Sequence, residues 1–185
     1  MSIDDIMDQH IKTIQETAKN NRLDIERFAV MCSKALKEGH VIYFAGNGGS
    51  AADSQHLAAE LVGRFQKERR GLPSIALTTD TSILTAIGND YGYDRIFSRQ
   101  VEALVNQGDV VVGISTSGNS PNIVEALLKA HDLGAFTIGM TGENGGKMAT
   151  ICDLCIKVPA KVTARIQEAH ILIGHVVCEL IEEDY

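Results

Sequence analysis

Val41-Ile42-Tyr43-Phe44-Ala45-Gly46-Asn47-Gly48-Gly49-Ser50 passes from an unbroken apolar run straight into a glycine-rich turn. The run reads as a strand buried on both faces, and the pattern that follows, Ala51 to Phe65, reads as a helix. Strand, glycine turn and helix in that order open a βαβ unit. The grammar then repeats: Ser74 to Thr78, Asp109 to Ile114, Ala135 to Met140 and Leu154 to Val158 read as strands. Helical segments separate most of them, and Thr163 to Glu182 reads as the closing helix. Strands alternating with helices imply parallel crossovers and a sheet covered on both faces. The expected fold is α/β, a three-layer α/β/α sandwich around about five parallel strands.

Upstream of the first strand, Ile3, Ile6, Met7, His10, Ile11 and Ile14 recur at helical spacing, and a second helical segment runs from about Leu23 to Lys37. No composition shift or Pro/Ser-rich linker interrupts the 185 residues, and Pro occurs only at 73, 121 and 159. One domain is expected, with N-terminal helices over 1–38 and a sheet-containing core over 39–185. The apolar stripe of the N-terminal pair could pack on the domain, but amphipathic helices outside a complete α/β unit are also a common route to an oligomer interface; packing and oligomerisation are the roles expected of it, with oligomerisation favoured.

The formal charge is −7 and no Lys/Arg run exceeds the pair Arg69 and Arg70, which argues against a protein that grips nucleic-acid phosphates. No stretch approaches 18 apolar residues, and the N-terminus carries Asp4, Asp5 and Asp8 rather than a basic leader; a cytoplasmic protein with no membrane partner is expected. Among Cys32, Cys152, Cys155 and Cys178 only the C-x-x-C spacing of 152–155 is suggestive, and within Ile-Cys-Asp-Leu-Cys-Ile-Lys-Val it reads as thiols packed on a strand. The stretch Arg64, Lys67, Arg69 and Arg70 reads as a solvated loop that could also steer an anion.

In open parallel sheets ligands bind beyond the carboxyl ends of the strands, where helix N-termini present unpaired amides. Two loops hold that position. One is Gly46 to Ser50, where Ser50 and Asp53 have capping-box spacing; the other is Ser115-Thr116-Ser117-Gly118-Asn119-Ser120-Pro121, four hydroxyls and a glycine ending in a proline suited to the first helical turn. Hydroxyls and backbone N–H groups match phosphate oxygens without any lysine. Neither loop has the G-x-G-x-x-G or G-x-x-x-x-G-K-[ST] spacing of nucleotide sites, so a monophosphate on a small molecule is the expected ligand.

With these loops, His56 and Glu60, Gly88-Asn89-Asp90, Gly113 to Ser120 and Arg165-Ile166-Gln167-Glu168, the chain from about Leu23 to Ile181 resembles the sugar isomerase (SIS) domain family, and within it the phosphoheptose isomerases. The resemblance implies a flavodoxin-like five-stranded sheet, a homotetramer, and isomerisation of sedoheptulose 7-phosphate to D-glycero-D-manno-heptose 7-phosphate ahead of nucleotide-heptose synthesis. It also implies one zinc ion per subunit held by His56, Glu60, Gln167 and His175. Asn47, Gly48, Gly49, Ser50, Glu60, Asn89, Asp90, Ser115, Thr116, Ser117, Ser120 and Gln167 would contact the sugar phosphate. One departure stands out: Ala164 occupies a position where relatives often carry Asp before Arg-Ile-Gln.

Elementary geometry agrees in part. His56 and Glu60, four apart, share a helix face and can reach one ion, although an exposed His-Glu pair has the same spacing. Gln167 and His175, eight apart, lie about 12 Å apart along a helix, near the limit for sharing one metal. Ketose-aldose exchange through an enediol needs a carbon base, an acid/base for the oxygens and positive charge beside the enediolate. Glu60 and His175 are the catalytic candidates, as carbon base and oxygen acid/base. The rival readings are a non-catalytic SIS adaptor that binds a replication initiator, an isomerase of another sugar phosphate, and a sugar-sensing regulator; the last lacks room for a DNA-binding segment before Val41.

Overall fold

The structure, a computed structural model, describes residues 2–185. Helices α1 (Ile3–Asn20) and α2 (Arg22–Lys37) precede β1 (Ile42–Gly46) and α3 (Gly49–Val62). Then follow β2 (Ser74–Ala76), α4 (Thr81–Tyr91), a 3-10 turn (Tyr93–Arg95), α5 (Ser98–Leu104), β3 (Val110–Ile114) and α6 (Pro121–Asp132). The chain ends with β4 (Phe136–Thr141), α7 (Met148–Ile151), β5 (Leu154–Lys157) and α8 (Thr163–Glu182). The five strands form one sheet in the order β2-β1-β3-β4-β5, every neighbouring pair parallel. This is the flavodoxin-like order, with its switch point between β1 and β3.

Two-residue alternation along the strands divides the core. Ile42, Phe44, Val110, Val112, Ile138 and Met140 face one side and pack with Phe28 and Leu36 of α2, Leu57 and Leu61 of α3, and Ile173 and Val177 of α8. Tyr43, Ala45 and Val111 face the other, against Val101 of α5, Ile123 and Leu127 of α6, and Met148 of α7. The central strands β1 and β3 are buried at every position, which is why they read as continuous apolar runs.

Strand ends fall within a residue or two of the expected ones. Asp109 precedes β3 rather than lying in it, and its carboxylate accepts from the N–H groups of Val41 and Asn106. Helix α3 starts two residues earlier than expected. Gly48 takes its N-cap position with no side-chain cap, and buried Ser50 lies inside the helix, so the expected Ser50–Asp53 capping box does not form. A capping box forms instead at Ser2 and Asp5, where it starts α1. Helix α1 runs on to Asn20 and lies against α8 with Thr13 and Thr17 buried. Its Ile3, Met7 and Ile11 stay exposed. The four cysteines are free; burial pushes the Cys178 and Cys152 thiols up to about 12, as inert core thiols require. Cys152 precedes β5 rather than lying in it.

The segment after α3 departs most from the sequence reading. Arg69 is not a solvated loop cation: its side chain and that of Glu182 are each only 2% exposed, and they pair at 2.9 Å. Arg69 also donates to the carbonyls of Glu60, Leu61 and Gly63, which closes the C-terminus of α3 early. Glu182, at the end of α8, accepts the backbone N–H groups of Phe65, Gln66 and Lys67. A carboxylate with this many donors is held far below its usual range, at about 2, by those backbone hydrogen bonds and by Arg69, against the opposing effect of burial.

The folded value lies below the unfolded one, so Glu182 contributes stability above about pH 4.5 that is lost as pH falls toward 2. The expected contribution is about 3 kcal/mol. Urea denaturation at pH 7 and pH 3 should show Glu182→Gln markedly weaker than the parent at pH 7, with the gap narrowing at pH 3.

Candidate active site

The sheet order puts the loops after β1 and β3 side by side at the switch point, and their helices α3 and α6 leave on opposite faces. Asn47 of the first loop and Asn122 of α6 join them by two reciprocal amide hydrogen bonds, each 2.9 Å. The Tyr93 hydroxyl donates to the same Asn47 oxygen at 3.1 Å. Both acceptor positions of that oxygen are therefore taken, so Asn47 can offer a ligand its backbone N–H and its remaining amide hydrogen.

In the second loop, Ser115 is buried, and its hydroxyl lies 2.9 Å from that of Ser120 and 3.4 Å from that of Ser117. Ser120 takes the N-cap position of α6, and Pro121 takes the first helical position, as expected. Thr116 and Ser117 line a cavity of about 450 Å³ that continues along Gly142, Glu143, Lys161 and Thr163. Its size is within the range of small-molecule sites. Asn89 and Asp90 lie on exposed α4, with the Asn89 amide donating to Asp90 at 2.8 Å. Among the described residues neither side chain hydrogen-bonds to either loop.

Three of the four expected metal residues, His56, Glu60 and His175, meet where α3 crosses α8. A Cβ on Gly174 would lie 2.4 Å from Leu57 Cδ2, so Leu57 packs into the space that glycine leaves and would have to move for any larger residue. His56 precedes Leu57 on α3 and His175 follows Gly174 on α8, and their Nε2 atoms face each other at 3.2 Å. Glu60 Oε1 lies 2.9 Å from His56 Nε2, and one ligand atom from each of the three residues falls within 4.8 Å of the others. Phe65 stacks on the His175 ring at 5.3 Å and 27°.

This donor set fits a zinc ion. Donors about 2.0–2.1 Å from a tetrahedral centre lie about 3.3 Å from one another, close to the observed separation of the two imidazole nitrogens. Gln167, one α-helical stretch earlier, has its amide against Gly49 at the start of α3, 2.7 Å from where a Cβ there would sit. Gly49 is thus the cradle of the Gln167 side chain. Ala164 is exposed in the first turn of α8.

Asn122, Tyr93, Phe65 and Arg69 take part in this arrangement and were not among the expected site residues. Asn122 had a faint signal, a polar residue just after the proline that starts α6. Phe65 and Arg69 had none, because their partners lie more than a hundred residues away.

The profile of the SIS domain family matches residues 7–142. The phosphoheptose isomerase of Aquifex aeolicus is 64% identical over 155 residues, 84% of this chain and 81% of that one. That of Aliarcobacter butzleri is 56% identical over 175 residues, 95% and 93% of the two chains. The solved phosphoheptose isomerase structures from Neisseria gonorrhoeae and Francisella tularensis superpose with TM-scores of 0.93 and 0.95 at 46% and 38% identity. They cover 98% of this chain and 97% and 96% of their own.

Gly174→Ala should force Leu57 aside and part the helices, lowering stability by about 1–3 kcal/mol in urea denaturation. Asn122→Ala should cost about 1–3 kcal/mol by stranding the Asn47 amide, and the double variant with Asn47→Ala should lose less than the sum of the single changes.

Proposed function

The chain belongs to the SIS domain family and, within it, to the phosphoheptose isomerases, and from that premise we propose that it converts sedoheptulose 7-phosphate to D-glycero-D-manno-heptose 7-phosphate through Glu60 and His175. The observation that carries the site assignment is the convergence of His56, Glu60 and His175 where α3, the helix that starts at the first loop, meets α8.

The phosphate would be held by the hydroxyls of Ser115, Thr116, Ser117 and Ser120 at the start of α6, a 12-residue helix whose dipole favours an anion. Asn47, Gly48, Gly49 and Ser50 would meet the sugar at the start of α3, with Gln167 lying across Gly49. Asn89 and Asp90 complete the proposed contacts.

Isomerisation moves one hydrogen between adjacent carbons of the open-chain sugar. Glu60 would take the proton from the carbon beside the carbonyl, and His175 would give a proton to the carbonyl oxygen, forming the enediol. Glu60 would then return its proton to the neighbouring carbon while His175 withdraws one from the other oxygen, leaving both side chains as they began. His56, Glu60, Gln167 and His175 would hold the metal; bound there, it supplies positive charge beside the developing enediolate. Glu60 is 23% exposed on its side chain, with room to shift between these two duties.

The reaction would feed nucleotide-activated heptose synthesis. A homotetramer is proposed from the exposed Ile3, Met7 and Ile11 of α1 and from an apolar groove of about 420 Å³ lined by Ile14, Ile25, Leu172, Val176 and Leu180. Among the described residues no helix is long and apolar enough to cross a membrane. A cytoplasmic location is part of the proposal.

Purified, zinc-loaded protein should turn over sedoheptulose 7-phosphate, and Glu60→Gln and His175→Ala should each lower kcat about 100-fold or more while remaining folded by circular dichroism. Chelation should abolish turnover and added Zn²⁺ should restore it. A folded, zinc-loaded parent inert toward this ketose phosphate would overturn the assignment.

A further inference from the structure

Two features of the segment after α3 point at the same place. Its Phe65 ring lies against the His175 imidazole, 5.3 Å between centroids and 27° from parallel. Its Arg69 guanidinium reaches back 2.9 Å to the Glu60 carbonyl. Both are fixed by one carboxylate. Glu182 Oε1 accepts from the Phe65 N–H at 2.8 Å and pairs with Arg69 at 2.9 Å, while Oε2 accepts from Gln66 and Lys67. Glu182 itself lies on α8, two turns beyond His175.

The segment between α3 and β2 therefore links one proposed metal-site residue on α3 and another on α8. Burying such an ion pair is costly, and a pair of apolar residues would hold a loop as well or better. What an apolar pair could not do is cap the α3 carbonyls at Glu60 and Leu61 while fixing the register of Phe65.

We propose that Arg69, Glu182 and Phe65 are positioning residues for the isomerase site, holding Glu60 and His175 in the arrangement that binds the metal and carries out proton transfer. The inference rests on the metal-site reading given above. Phe65 blocks the His175 ring from rotating away from His56. Arg69 prevents the last turn of α3 from fraying, and so keeps the Glu60 side chain on the His56 face. Groups that orient metal ligands in this way typically contribute 10- to 100-fold to metal affinity or activity.

The test compares the full-length parent with Arg69→Lys, which keeps the charge but loses the planar fork, and Phe65→Leu, which leaves the ion pair untouched. His56→Ala serves as the reference for loss of a ligand. Each is titrated with Co²⁺, reading the visible ligand-field absorption of the bound ion. Thermal stability is measured by melting, and kcat and KM for sedoheptulose 7-phosphate are measured well below the melting temperature. The expected result is a tenfold or greater loss of Co²⁺ affinity in Arg69→Lys and Phe65→Leu, an altered absorption band, and a tenfold or greater fall in kcat with KM changed less than threefold. Should Phe65→Leu keep the parent's Co²⁺ affinity, spectrum and kcat within twofold, the positioning role is overturned, whatever its melting temperature. If the parent binds no Co²⁺, or binds it as His56→Ala does, the metal-site reading itself fails and takes this inference with it.

Discussion

The approach of α3 to α8 at Gly174 is the contact on which the site depends. A glycine there lets Leu57 of the facing helix occupy the space a Cβ would need, and an adjacent residue on each helix is an imidazole. Helical geometry does the rest: Glu60 lies one turn beyond His56 on the same face. Packing of the core and assembly of the donor cluster are thus one event. The apolar contact supplies free energy, and the polar groups ride on the rims of the helices it brings together.

A second constraint comes from the sheet. Because β1 and β3 are neighbours although β2 lies between them in the chain, their helices depart to opposite faces and leave a crevice at the strand ends. A net charge of −7 would repel a phosphate, so the crevice has to attract it locally. In the proposed site, hydroxyls of the Ser115–Ser120 loop and the N-terminus of α6 would do so with fixed dipoles, while the Asn47–Asn122 amide pair joins the first loop to α6. Lysine would bring charge but little directional order.

The buried pair Arg69–Glu182 shows how a costly interaction can be retained. Its carboxylate accepts from three consecutive backbone N–H groups and its guanidinium donates to several helix-end carbonyls, so backbone groups that burial would otherwise orphan are satisfied together, although the Arg69 Nε is left without a partner. The pair ties a loop of irregular backbone to the end of the last helix, immediately below the donor cluster.

The α/β class, five parallel strands and two loops poised for a phosphate were determined by local pattern alone. Buried strands such as β1 read as apolar runs, and glycine and hydroxyl turns punctuate them wherever the chain meets a helix N-terminus. His56 and Glu60 were legible as a pair because helical periodicity brings them together without help from the rest of the molecule. The position of His175 was not: spacing along α8 sets it about 12 Å from Gln167, and only the family resemblance grouped it with His56. The fold sets it against His56, 119 residues away, and lays Gln167 over Gly49. The same holds for Arg69, which in a run of basic residues looks solvated and in the folded chain is buried against Glu182. Sequence periodicity records which face a side chain takes on its own element. Which face of another element it meets depends on the crossing of helices and the order of strands, and those arise only when the whole core packs.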